Sequence, residues 1–144
     1  MSNADNKIRR LMESVLAQWA EDRCPPVPVA YQNVKFSPPA NEPYVRAYIL
    51  RGRTTAPDLA GDMRTRIGIF QVNILTPDHI GPVLAEEIAS EIEDLFPPNL
   101  RLDDGEGLVV QIIEPASLGP AMSSEGRYMQ PVSFTYRNDL LIAT

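Results

Sequence analysis

The chain has 144 residues, with 13 Lys or Arg against 19 Asp or Glu, for a formal net charge of −6. That length suffices for one domain burying about two-thirds of the surface its unfolded form exposes, and the 44% hydrophobic share fits such a core. One cysteine (Cys24), one histidine (His79) and two lysines (Lys7, Lys35) exclude a disulfide scaffold, a cysteine-rich zinc site and a general nucleic-acid binder, which needs clustered cations. Apolar runs such as Leu140–Ala143 fall far short of the roughly 20 residues a membrane span needs. No basic segment followed by an apolar one opens the chain, so the expectation is a soluble protein of a reducing cytoplasm, without a membrane partner. Met1–Ala4 reads as a remnant of cloning, leaving 5–144 as a single domain.

Ile8, Leu11, Met12, Val15, Leu16 and Trp19 recur at helical spacing and predict an amphipathic helix over Asp5–Glu21, with Asp5 placed to cap its first turn. Cys24-Pro25-Pro26-Val27-Pro28 ends it, and Cys24 is expected to be a small apolar filler there. Val29–Phe36 and Tyr44–Leu50 read as strands from their valine, isoleucine and tyrosine content. A third strand runs over Arg66–Thr76, with Phe70, Val72 and Ile74 on one face and Gln71 and Asn73 on the other. Between these strands Arg51–Thr65 lacks apolar periodicity and is expected to be a long mobile loop. A second helix is predicted over His79–Phe96 from Ile80, Leu84, Ile88, Ile92 and Leu95, capped by Thr76 or Asp78. Two strands follow, Leu108–Ile113 after the turn Asp103–Gly107 and then Tyr128–Tyr136, where Pro115 and Pro131 mark edges or bulges. The sum is an α+β domain of order α-β-β-β-α-β-β, two helices on one face of a mainly antiparallel sheet.

No constellation in this pattern carries catalysis or holds a cofactor or metal. His79 has only Asp78 beside it and fits a helix cap better than a general base. Asp103, Asp104 and Glu106 lack the ligand ladder of a calcium loop and fit a solvated hairpin turn. Glu86 and Glu87 are helix neighbours whose side chains diverge by about 100°, unlike a catalytic pair. The placement of charge is more informative. Positions 46–66 hold Arg46, Arg51, Arg53, Arg64 and Arg66 against Asp58 and Asp62, whereas positions 86–106 hold eight acids against Arg101. Either both are ordinary solvated faces, or a basic segment of one copy meets an acidic helix of the next, a head-to-tail contact of the kind that closes rings.

Several strings, in this order, resemble the tail terminator family of long-tailed bacteriophages: Tyr31–Pro39, Tyr44-Val45-Arg46, Gly68–Asn73, Gly81, Leu84–Ala89, Phe96-Pro97, Glu114–Pro120 and Tyr128–Asn138. The resemblance spans residues 5–139 and implies a non-enzymatic subunit, monomeric when free, that forms a hexameric ring on the head-proximal end of the tail tube. The ring would stop tube polymerisation and present a surface for the head, with the tail tube protein and a head-completion protein as partners. Assembly would take place in the bacterial host cytoplasm and leave the protein in the virion tail. A related head–tail connector or another tail adaptor is the alternative. Under this reading the self-assembly interface sets Arg51, Arg53, Arg64 and Arg66 against Glu86, Glu87, Glu91 and Asp94, with Gln71 available to an exposed or subunit-facing surface.

Overall fold

The structure, a computed structural model, describes residues 4–57, 61 and 63–141. Ala4, Ile8, Met12, Leu16 and Ala20, each four residues from the last, are the buried line of helix α1 (Ala4–Asp22), with Leu11, Val15 and Trp19 partly buried beside them. Asp5 lies within the first turn rather than ahead of it. The helix ends as predicted at the prolines, and the chain swings outward before Val27 returns it to the core. Cys24 is therefore exposed, not an apolar filler.

The remaining elements are β1 (Val29–Tyr31), β2 (Tyr44–Thr55), β3 (Met63–Pro77), α2 (Val83–Leu95), β4 (Arg101–Asp103), β5 (Val109–Ile112), β6 (Ser117–Leu118), β7 (Met122–Ser124) and β8 (Arg127–Leu141). They form one sheet in the order β1-β2-β3-β8-β5-β4, with β6 and β7 also pairing with β8. All pairings are antiparallel except β1 with β2. Two helices against a mainly antiparallel sheet agree with the sequence, but the sheet has eight strands where five were expected. The extra strands, β4, β6 and β7, are two or three residues long, too short for alternation to reveal them.

The largest correction concerns the loop expected over Arg51–Thr65: residues 51–55 and 63–65 are strand, while 58–60 and 62 lie outside the described residues. β2 and β3 continue into this segment as a paired arm, Thr54 facing Arg66 and Thr55 facing Thr65, and β8 runs alongside β3 to the Met63–Leu141 pair. Apolar periodicity fails there because the strands are held by backbone pairing to one another rather than by a buried face. A bulge between Arg51 and Thr54 bends β2 at the base of the arm, and Gly52 is needed in it, since a Cβ there would sit 2.5 Å from the Ile67 carbonyl oxygen.

Three shorter corrections follow from backbone geometry. The strand expected over Val29–Phe36 ends at Tyr31, where the chain turns through Asn33 at φ 57°. Helix α2 begins at Val83 instead of His79, because His79 (φ 65°) and Gly81 (φ 84°) are left-handed. Its N-cap position is Pro82, with no side-chain cap bond, so neither Thr76 nor Asp78 caps it and His79 has no capping role. Pro131 lies within β8, in the middle of the sheet. Its carbonyl accepts from Gly119 N at 3.0 Å, so its missing donor faces short β6 and the β3 ladder is intact.

The helices cover one face of the sheet. Val45, Ala47, Phe70, Val72, Ile74, Val132, Phe134, Val110 and Ile112 point into the core with Ile88, Ile92 and Phe96 of the α2 region. Phe96 centres a ring cluster, its centroid 5.6 Å from Phe70 and 4.7 Å from Phe134. Part of the opposite face is covered by the segment joining β1 to β2, where Phe36 packs on Tyr44 at 5.2 Å and the Arg127 guanidinium lies over the Tyr44 ring. Arg127 also donates to the carbonyls of Glu42 and Pro39. Beyond that segment the face is open and mixed, with Leu50 and Ile67 exposed beside Tyr48, Gln71 and Arg137.

Candidate assembly surface

Arg51, Arg53, Arg64 and Arg66 lie on β2 and β3 where these strands extend beyond the core. Arg51 and Arg66 approach the same Asp5 carboxylate of α1, at 3.8 and 3.9 Å. Arg51 is 56% exposed and Arg66 18%, so Arg66 is largely consumed inside the fold while Arg51 reaches solvent. Arg64 donates to the carbonyls of Gly61 and Met63, which closes the arm near its tip. Arg53 is exposed and forms no ion pair among the described residues. Gln71 does not join this cluster. It lies on the open sheet face, its amide donating to Asn73 Oδ1 at 2.8 Å, and Asn73 donates on to the Tyr48 hydroxyl at 3.3 Å.

On α2 the four acids divide by role. Glu86, Glu87 and Asp94 are exposed. Glu91 turns inward, its Oε1 accepting from Trp19 Nε1 at 3.0 Å and from Arg23 Nε at 2.9 Å. This clamp joins the two helices at the edge of an open groove of about 640 Å³ lined by Val15, Trp19, Arg23, Glu91 and Leu95. Sequence reasoning missed the clamp because its residues lie 72 and 68 positions apart. It also missed Asp5 as the partner of two arginines, since the i-to-i+3 pattern of a cap says nothing about what lies across the sheet.

The acidic turn between β4 and β5 is the solvated hairpin turn expected. Asp103 Oδ1 accepts from Gly105 N, and Asp104 Oδ1 from Glu106 N and Leu108 N, at 2.7 to 3.0 Å. The bond from Glu106 N leads in holding the Asp104 carboxyl below the usual range, opposed by desolvation and aided by Leu108 N and by Lys7. Lys7 lies 4.0 Å from Asp104 and 3.5 Å from Glu106. At the base of the arm burial raises the Tyr136 phenol, and Asp5 adds to it.

His79 is 93% exposed and 4.0 Å from Asp78, and Cys24 is solvent-facing. Among the described residues no three of His, Cys, Asp and Glu gather as a metal site, and no helix is long and apolar enough to cross a membrane.

The family model described as phage tail terminator protein matches residues 7–136. The chain belongs to the phage tail terminator family. A solved structure 39% identical to this tail terminator superposes with a TM-score of 0.80, covering 95% of this chain and 96% of the other. No curated protein matches it. Membership agrees with the resemblance read from the sequence and makes the chain a structural, non-enzymatic phage or prophage tail protein, whose relevant chemistry is that of surfaces.

Proposed function

We propose that this tail terminator forms a ring, hexameric as in the resemblance drawn above, which caps the head-proximal end of the tail tube, stops its polymerisation and presents the head-attachment surface. Its partners are then further copies of itself, the tail tube protein and a head-completion protein. It assembles in the bacterial host cytoplasm and ends in the virion tail. The observation that carries the reading is the family match over residues 7–136, nearly the whole folded domain. The separation of charge supports it: β2 and β3 bear Arg51, Arg53, Arg64 and Arg66, and α2 exposes Glu86, Glu87 and Asp94. A contact between two such unlike patches is heterologous and closes when the rotation between copies divides a full turn.

Within this interface the exposed Arg53 and Arg51 carry the basic side, with Arg64 and Arg66 holding the arm's shape and Gln71 facing a neighbouring surface. Glu86, Glu87 and Asp94 form the acidic side, and Glu91 supports their helix. Light scattering over a concentration series, with electron microscopy, should show monomers giving way to rings of about six copies. Those rings should cap purified tail tubes, and a protein that stays monomeric and leaves tubes uncapped refutes the reading. Arg53→Glu should weaken assembly and Glu87→Lys in the same chain should partly restore it, both effects shrinking in high salt because the groups are exposed.

A further inference from the structure

Among the described residues the sheet ends in two unpaired edges at the same height. The pairs Thr54–Arg66, Arg66–Asn138, Asn138–Val110 and Val110–Leu102 trace one row across β2, β3, β8, β5 and β4. At one end of this row β2 has no outer neighbour among the described residues, because β1 pairs only with Val45–Ala47. Just beyond β1, the Gln32 side chain takes the place of a strand by accepting from Ile49 N at 3.2 Å. The outward donors of β2 include Val45 N, which bonds Pro28 O, and Ile49 N. The two-residue period of a strand therefore directs the Arg51 N–H outward as well. It has no backbone partner among the described residues.

At the other end of the row, Ile112 N bonds Leu100 O and Asp104 N bonds Leu108 O, so the even-numbered residues of β4 face β5. Arg101 and Asp103 then point their backbone groups away from the sheet, again without a backbone partner among the described residues. The two edges differ in charge. The β2 edge carries exposed Arg51 and Arg53, and the β4 edge runs through exposed Asp103 into the turn of Asp104 and Glu106, with Arg101 in the strand and Lys7 beside the turn as its cations.

We infer that the outer edge of β2 beyond Ile49 is a strand-addition site for β4 of a second copy of this chain, so that one sheet continues from subunit to subunit. The inference rests on the self-assembly reading above and names the backbone part of that contact. Successive antiparallel pairings from β2 to β4 make these two strands run in the same direction. The new pair is therefore parallel, in the sense β1 already pairs with β2, and the incoming strand extends the line of β1. Unlike charges select β4 as the occupant: two β2 edges brought together would set Arg51 and Arg53 against their own copies. In the free monomer the same arginines and the bulge at Gly52 keep the open edge from pairing indiscriminately.

The test is amide hydrogen exchange on the full chain, as monomer and as assembly, together with proline substitution. In the assembly the amides of Arg51 and Arg101 should both become protected, by at least about tenfold, the loss of one hydrogen bond's worth of opening. Arg51→Pro and Arg101→Pro remove an outward donor without touching the inner ladders. Each should raise the concentration needed for assembly by about tenfold or more relative to Arg51→Ala and Arg101→Ala, which remove only the side chain. Rings that form with both amides still exchanging freely, or with both proline variants assembling like their alanine counterparts, would overturn edge pairing while leaving the ring itself standing. Protection at Arg51 alone would show that two β2 edges meet, and would also overturn it. A wild-type protein that never assembles removes the self-assembly reading and this inference together. Exchange on the wild-type protein decides the matter even if a proline variant fails to fold.

Discussion

Glu91 offers the sharpest test of how the surface acids divide between fold and assembly. Replacing it with alanine removes the acceptor of the Trp19 Nε1 bond at 3.0 Å and of the Arg23 Nε bond at 2.9 Å. A hydrogen bond to a charged group contributes about 1.5–3 kcal/mol, and the low end applies to Trp19 because the Glu91 side chain is 38% exposed. The Arg23 pair, partly screened by solvent, adds about 0.5 kcal/mol, for a total near 2 kcal/mol. For a domain of this size that is a fall in Tm of about 6 °C. The chain has one tryptophan, so Trp19 fluorescence reports the site itself. Urea unfolding followed by that emission should show the loss in Glu91→Ala and a smaller one in Glu91→Gln, which keeps a neutral acceptor. Glu86→Ala should change stability little, since Glu86 is exposed. Wild-type stability and unchanged emission in Glu91→Ala would refute the clamp and return Glu91 to the exposed acids.

Two further outcomes follow from the packing and the acidic turn. Gly68→Ala should destabilise by about 1–2 kcal/mol in urea unfolding: a Cβ there would lie 2.6 Å from Tyr136 Cζ, and overpacking of about 1–3 kcal/mol outweighs the gain of about 0.5–1 kcal/mol from replacing a strand glycine. A variant as stable as wild type would mean the 2%-exposed Tyr136 ring has room to move. Asp104 should titrate below its ordinary value of 3.8 in a carboxyl NMR titration. The carboxylate's stabilisation of the turn is then complete above that value and is lost as pH falls through the lower folded pKa; a normal or raised value would refute the backbone bonds to its Oδ1.

The two helices, the Phe70-Val72-Ile74 strand and the acidic turn were legible because each is written in local periodicity or turn chemistry. The family was legible too, since its strings keep their order along the chain. The interface candidates were only half legible. Net sign and arginine content are sequence properties, but the carboxylates and guanidinium groups left free are set by what folds against them. Asp5 comes to Arg51 and Arg66 and Trp19 comes to Glu91, each across a long sequence separation.

The sequence by itself determined the α+β class, two helices with a mainly antiparallel sheet, and a pattern of unlike charges in its two halves. Apolar spacing and residue type suffice for that, because burial of a stripe does not depend on which partner buries it. Only the tertiary structure decided that residues 51–55 and 63–65 belong to strands. It also left the sheet, among the described residues, with two bare edges at one height, β2 and β4. Strand pairing is the reason: backbone hydrogen bonds join residues of any type, so the polar ends of β2 and β3 are strands by pairing with each other, with β8 paired along β3.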